Sequence, residues 1–267
     1  MDVQRLFRVV DPNLGPRWAT TIDDRTFAVD DPFGSCRPGL ELMSDQPRTV
    51  CVAPSKIVCI GRNYADHVRE LGNAIEGEPV LFLKPPSTLT GDGAPIVRPR
   101  AFSEVVHHEG EVGVVVGRVL RQASRAEAAE AVFGFVPAND VTARDLQRAD
   151  KTWARGKGFD GFCPVGPEVL RAGAAPAIDA MRVRVTVNDE VRQDASCATM
   201  MFPIDACLAY ASRFFTLEPG DLVLTGTPEG VGPLVDGDVV RVEVEGVGTL
   251  TNPVVDGPPA QEIPDWR

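Results

Sequence analysis

The sequence predicts an α+β fold dominated by strands, with a small β domain at residues 1–53 ahead of a larger one at residues 54–267. Three observations predict it. Period-two runs recur, clearest at residues 182–187 and 239–245, where valines alternate with Arg, Thr or Glu, the pattern of half-buried strands. Other apolar runs are short and bounded by turn residues. Helix signals are few, and no regular strand–helix alternation marks a doubly wound sheet.

Taken in order, residues 6–10 and 26–29 read as strands between the turn clusters Asp11-Pro12-Asn13-Leu14-Gly15-Pro16 and Asp30-Asp31-Pro32. Residues 43–54 read as a linker. Apolar runs at residues 57–60 and 80–83 are expected as buried strands, as are residues 112–116 and the run from Phe135. A short helix is expected to end at Gly72. Ser124-Arg125-Ala126-Glu127 is a capping box opening a helix to about Phe133. Asn188-Asp189 makes a turn after the strand at residues 182–187. Residues 203–214 are helical, with Pro203 suited to the first turn. Residues 239–245 and 248–254 form a hairpin.

The chain has 267 residues, 43% of them hydrophobic and 24% charged, which suffices for a packed core without disulfides or structural metals. The net charge is −11 and no basic tract is present, so nucleic acid and anionic membranes are not expected partners. No run reaches the roughly 18 apolar residues of a spanning helix, and the start shows no secretory signal. Six scattered cysteines without a Cys-x-x-Cys pair fit a reduced, cytoplasmic setting. An acidic protein that binds an anion needs local positive charge, so a bound cation is worth seeking.

Five stretches carry chemistry. In Val106-His107-His108-Glu109-Gly110-Glu111, a strand continuing through Glu111 would put His107, Glu109 and Glu111 on one face. Such carboxylates repel unless exposed, protonated or bound to a cation; a solvated strand end is the alternative. Asp140 ends another apolar run. It reads either as a helix N-cap or, with Glu109 and Glu111, as part of an all-oxygen set suited to Mg²⁺, Mn²⁺ or Ca²⁺. His67 and Glu70 stand three residues apart in the expected short helix, as a base-and-orienter pair or as an ordinary surface pair. Lysine occurs only at positions 56, 84, 151 and 157. Lys157, flanked by Gly156 and Gly158, reads as a contact for an anionic intermediate or as a solvated loop residue. The glycine-rich run 224–232 matches neither a Walker loop nor a dinucleotide fingerprint. It reads as a tight loop presenting a threonine hydroxyl.

Together these segments resemble the fumarylacetoacetate hydrolase family. The blocks that carry the likeness run in the family's order: residues 56–67, Phe82-Leu83-Lys84-Pro85, His108-Glu109-Gly110-Glu111, residues 139–145, Gly156-Lys157-Gly158-Phe159-Asp160 and Leu224-Thr225-Gly226-Thr227-Pro228. The resemblance implies a mixed β-roll catalytic domain, a homodimer and a bound Mg²⁺ or Mn²⁺. It implies Glu109, Glu111 and Asp140 as metal ligands and His67 with Glu70 as a water-activating dyad. Lys157 would sit near metal and substrate, Arg144 and Gln147 would hold the ligand, and Thr227 would offer its hydroxyl to a carboxylate. Gly158 departs from the serine common in the family.

The expected activity is hydrolytic carbon–carbon cleavage of a 2,4-dioxo acid, of acylpyruvate or fumarylpyruvate type, releasing pyruvate as its enolate. Oxaloacetate decarboxylation and isomerisation of a 2-hydroxyhepta-2,4-diene-1,7-dioate-type diacid use the same enolate chemistry. A non-catalytic ligand-binding protein on this scaffold is the remaining class. Polar residues 72–79 would serve as a lid.

Overall fold

The computed structural model describes residues 3–43, 46–72 and 77–259; of the expected lid, residues 73–76 lie outside them. Among these residues the main sheet has ten strands. Its path runs Arg25–Ala28, Gly15–Ile22, Arg5–Asp11, Val169–Arg171, Val132–Asn139, Gly110–Val116, Leu222–Leu224, Ile57–Gly61 and Val80–Lys84, with Arg48–Thr49 beside Arg5–Asp11. A five-stranded sheet follows the order Glu190–Ser196, Arg182–Val187, Val239–Val244, Gly248–Asp256 and Ile96–Arg98. The fold is mainly β with short helices, as expected.

The Gly110–Val116 strand lies at the centre. Val112, Val114 and Val116 pack with Val58, Val183 and Val244, whereas Val115 packs with Cys59, Val136 and Leu222 in a second cluster. Both faces are covered, so the strand reads as an unbroken apolar run instead of an alternating one. The second sheet closes on the start of this strand: a Cβ on Gly110 would stand 2.2 Å from Val185 Cγ2. The glycine between the two glutamates is therefore a packing requirement.

Several elements match the expected ones. The capping box forms at Ser124 and Glu127, but the helix spans only Arg125–Glu130. Val132 and Phe133 are drawn instead into a long sheet strand. The helix at Ile204–Ala211 takes Pro203 as its N-cap and not as a first-turn residue. Asn188 and Asp189 both adopt positive φ, 50° and 66°, in the turn joining Arg182–Val187 to Glu190–Ser196. The strand Gly15–Ile22 is an addition, since its first residues carry the turn signals of the preceding cluster.

Residues 5–28 extend one end of the main sheet, where Arg5 pairs with Leu170 and Leu6 with Val169. Arg5 also donates to Val247 O at 2.8 Å. All six cysteines are free and buried. No helix among the described residues is long and apolar enough to cross a membrane.

Candidate active site

The acidic residues meet because of sheet register. Gly110 pairs with Asn139 in an antiparallel ladder, so the residues just beyond that pair, Glu109 and Asp140, become neighbours. Asp140 N donates to Glu109 O at 2.8 Å, and Glu109 N donates to Asn139 Oδ1 at 2.9 Å. Glu111 sits one residue inside the ladder. Carboxylate oxygens of Glu109, Glu111 and Asp140 lie within 4.8 Å of one another, all buried.

The expected continuous strand breaks at Glu109. Val106–His108 pairs with Thr142–Ala143 and Gly232–Pro233 in a small separate sheet. His107 is therefore not aligned with the glutamates along one strand, and it does not line the cavity described below. Burial, reinforced by Arg144, pushes its pKa down to about 4. Nor is Asp140 an N-cap: the next helix is Arg144–Ala149, capped at Ala143.

Three buried cations answer the acids. Lys157 Nζ donates to Glu109 Oε2 at 2.7 Å and to Asp140 Oδ2 at 2.6 Å. Lys84 Nζ donates to Asp140 Oδ1 at 2.6 Å and to Val141 O at 3.2 Å. Arg144 pairs with Glu109 Oε1 and donates to Gln147 Oε1 at 2.7 Å. Burial alone would raise the Glu109 pKa, but Lys157 and Arg144 hold it well below the usual carboxylate range. Burial would likewise lower that of Lys157, yet Asp140 and Glu109 raise it. Among the described residues Glu111 has no such ion-pair partner, and its Oε2 accepts from Gly226 N at 2.7 Å. Burial, then Asp140 and Glu109, push its carboxyl well above the ordinary value. The three cations serve Glu109 and Asp140, so Glu111 is the acid of the trio left facing like charges. The donor set fits a hard divalent cation.

His67 lies on the Ala65–Glu70 helix, which ends at Leu71, with Gly72 at φ 67°. Its Nδ1 is 3.1 Å from Glu70 Oε2. Glu70 Oε1 accepts from Gly230 N at 3.0 Å, so the acid is held from both sides.

One cavity of about 400 Å³ gathers Glu109, Glu111, Asp140, Lys157, Arg144, Gln147, His67 and Thr227, with Glu70 standing behind His67. Thr227 donates its hydroxyl proton to Gly110 O at 2.8 Å. Phe82 and Trp153 form an aromatic wall, ring centroids 5.2 Å apart, and Lys157 Nζ lies 5.1 Å from the Phe82 centroid. Arg148 and Lys151 also line it, and neither has an ion-pair partner among the described residues. A Cβ at Gly158 would meet Ala154 O at 2.5 Å, so the backbone here has no room for a side chain at position 158.

Two polar residues escaped the sequence reading. Lys84 lies in the Phe82-Leu83-Lys84-Pro85 stretch and is one of four lysines in the chain, and that scarcity was the available signal. Gln193 comes from the distant Glu190–Ser196 strand, and nothing in its local sequence announces a place near the site.

The model "Fumarylacetoacetate (FAA) hydrolase C-terminal" matches residues 56–255. Protein Rv2993c of Mycobacterium tuberculosis is 46% identical over 205 residues, 76% of this chain and 77% of its own. Oxaloacetate tautomerase YcgM of Escherichia coli is 42% identical over 201 residues, 74% of this chain and 91% of its own. The crystal structure of 2-hydroxyhepta-2,4-diene-1,7-dioate isomerase from Mycobacterium marinum superposes with a TM-score of 0.83 at 38% identity, covering 95% of this chain and 98% of that one. The extent of the match, and relatives of such identity over three quarters of the chain, make this protein a member of the fumarylacetoacetate hydrolase family.

Proposed function

We propose that the chain is a divalent-metal-dependent enzyme acting through the enol or enolate of a small anionic 2-oxo acid, with keto–enol tautomerisation of oxaloacetate as the first reading. The observation that carries it is the buried trio Glu109, Glu111 and Asp140 sharing a cavity with Lys157 and His67. The name of the Escherichia coli relative supports the choice of reaction. Glu109, Glu111 and Asp140 hold Mg²⁺ or Mn²⁺, with Ca²⁺ as the third oxygen-preferring candidate. Such a cation supplies Lewis-acid stabilisation of the 2-oxo group and of the enolate charge.

The chain's own residues do the rest. Arg144 and Gln147 hold the substrate carboxylate by charge-assisted and amide hydrogen bonds. Lys157, kept protonated by Asp140 and Glu109, donates to the oxygen where charge develops, a contribution of several kcal/mol in sites of this kind. His67, oriented at Nδ1 by Glu70, exchanges a proton at Nε2 with the carbon beside the 2-oxo group: toward the enol it takes that proton while the 2-oxygen gains one, and toward the ketone it delivers one while the enol hydroxyl loses its own. Phe82 and Trp153 exclude water from one wall.

A second reading is acylpyruvate hydrolysis, favoured by the dyad itself. Glu70 is fixed by both His67 and Gly230 N, the rigid support that water activation requires. In that case His67 deprotonates a water that attacks the distal carbonyl.

A panel with Mg²⁺ decides between them: enol-oxaloacetate ketonisation, fumarylpyruvate cleavage, oxaloacetate decarboxylation and 2-hydroxymuconate-type isomerisation, compared by kcat/KM. The first reading predicts the highest value for enol-oxaloacetate. A higher value for fumarylpyruvate replaces it with hydrolysis, and turnover of none with metal present removes the proposal.

A further inference from the structure

Gln193 is 1% exposed and lies outside the cavity lining, yet its amide is used at both ends, and most of its partners sit in segments that carry site residues. Its Oε1 accepts from Gly110 N at 3.0 Å, between Glu109 and Glu111, and lies 3.2 Å from His108 Nδ1. Its Nε2 donates to Thr227 Oγ1 at 2.8 Å and to Pro228 O at 2.7 Å. The backbone N–H of Gly110 can only donate and the carbonyl of Pro228 can only accept, so the amide has one orientation. Thr227, accepting from Gln193, passes its own proton to Gly110 O at 2.8 Å. Gln193, Thr227 and Gly110 thus close a ring of hydrogen bonds.

The backbone is shaped to deliver this amide. Val185 pairs with Gln193 but Thr186 pairs with Val191, which leaves Arg192 as the extra residue of a β-bulge. Bulges re-aim the side chains beside them. The bulge also supports the loop carrying Thr227, because a Cβ at Gly230 (φ 92°) would stand 2.0 Å from Arg192 O. Only glycine permits that approach, and Gly230 N is the donor that holds Glu70.

We propose that Gln193 is a positioning residue of the active site, its carboxamide setting the spacing between the Glu109–Glu111 segment and the loop at residues 226–230. This rests on the reading of Glu109, Glu111 and Asp140 as cation ligands. Loss of the amide releases Gly110 N and Thr227 together. Glu111 is affected as well, because its Oε2 is bonded to Gly226 N in the same loop.

The test uses the full chain with Gln193→Leu, which removes both ends of the amide, and Gln193→Glu, which keeps an acceptor for Gly110 N but loses the donors. Mn²⁺ affinity is measured by titration calorimetry, melting temperature in chelator, and kcat and KM with oxaloacetate. Supporting residues around metal ligands are worth about 10–100-fold in affinity or activity, and that loss is expected for Gln193→Leu. Gln193→Glu is expected to retain more Mn²⁺ affinity than Gln193→Leu while its KM rises. If Gln193→Leu does not fold, Gln193→Glu carries the test through its KM. A wild-type protein that binds no Mn²⁺ removes the metal reading and this proposal with it. Wild-type binding that both variants keep within twofold, with kcat/KM also kept and only the melting temperature lowered, makes Gln193 a packing residue and overturns this proposal alone.

Discussion

Glu109 and Asp140 stand side by side because Gly110 pairs with Asn139 in the central ladder, and one ammonium, that of Lys157, bridges their carboxylates at 2.7 and 2.6 Å. Two remote segments therefore become one anionic corner through strand register, and register is held by the burial of both faces of the Gly110–Val116 strand. A one-residue slip would separate the two acids and turn the valines onto the wrong clusters.

Glu111→Gln removes the carboxyl that lacks a cation. A neutral amide needs neither a buried charge nor a retained proton beside Asp140 and Glu109, so the melting temperature of the metal-free variant in chelator is expected to hold or rise. The stabilisation that Mg²⁺ gives the wild type is expected to disappear. Thermal melts with and without Mg²⁺ read both effects.

The raised Glu111 pKa has a pH consequence. In the metal-free protein the folded state keeps a proton that the unfolded chain loses above its ordinary value of about 4.5. The folded state then binds more protons, so this group's contribution to stability falls as pH rises above that value. Metal binding needs the ionised form and displaces the proton. Mn²⁺ affinity is therefore expected to rise with pH, with proton release visible as a buffer-dependent enthalpy in calorimetry. Equal enthalpies across buffers after correction for dilution would speak against a protonated Glu111.

Lys84→Met deletes a buried partner of Asp140. Breaking a buried pair on one side costs about 3–5 kcal/mol, and Lys157 on the other oxygen is expected to keep the loss toward the lower figure. Chemical denaturation in chelator measures it, and Mg²⁺ is expected to recover part of the loss.

His67→Ala is expected to lower kcat/KM by about 10²–10⁴, the usual worth of a general base, with Mn²⁺ affinity unchanged. Glu70→Gln, which preserves shape but weakens the base, is expected to fall between wild type and His67→Ala. Kinetics and calorimetry on the same preparations separate the two effects.

Arg148 and Lys151 line the cavity without ion-pair partners among the described residues. Replacing both with Ala is expected to raise KM for a dianionic 2-oxo acid more than for a monoanionic one, with little change in kcat. The wild-type KM for the dianion is expected to rise with salt, since exposed charges are screened.

Much of this was legible in the sequence, and the limits have physical causes. Glu109, Glu111 and Asp140 could be grouped because apolar runs end in acids, and the short apolar runs and alternating valines located most strands. The break at Glu109 was not legible, because a change of sheet leaves no mark on a period-two pattern; hence the misplacement of His107. Lys84 and Gln193 act across more than fifty residues of chain on Asp140 and Gly110, contacts that only the sheet pairing creates. The helix at Ser124 ends early because packing of Val132 and Phe133 in the sheet outweighs the propensity of the Ala-rich run.

The most direct measurement is an anomalous difference map from crystals grown with Mn²⁺. The account predicts a peak among the carboxylates of Glu109, Glu111 and Asp140, with Lys157 Nζ withdrawn from at least one of them. An empty map at saturating Mn²⁺, with Lys157 still bridging Glu109 and Asp140, would contradict it.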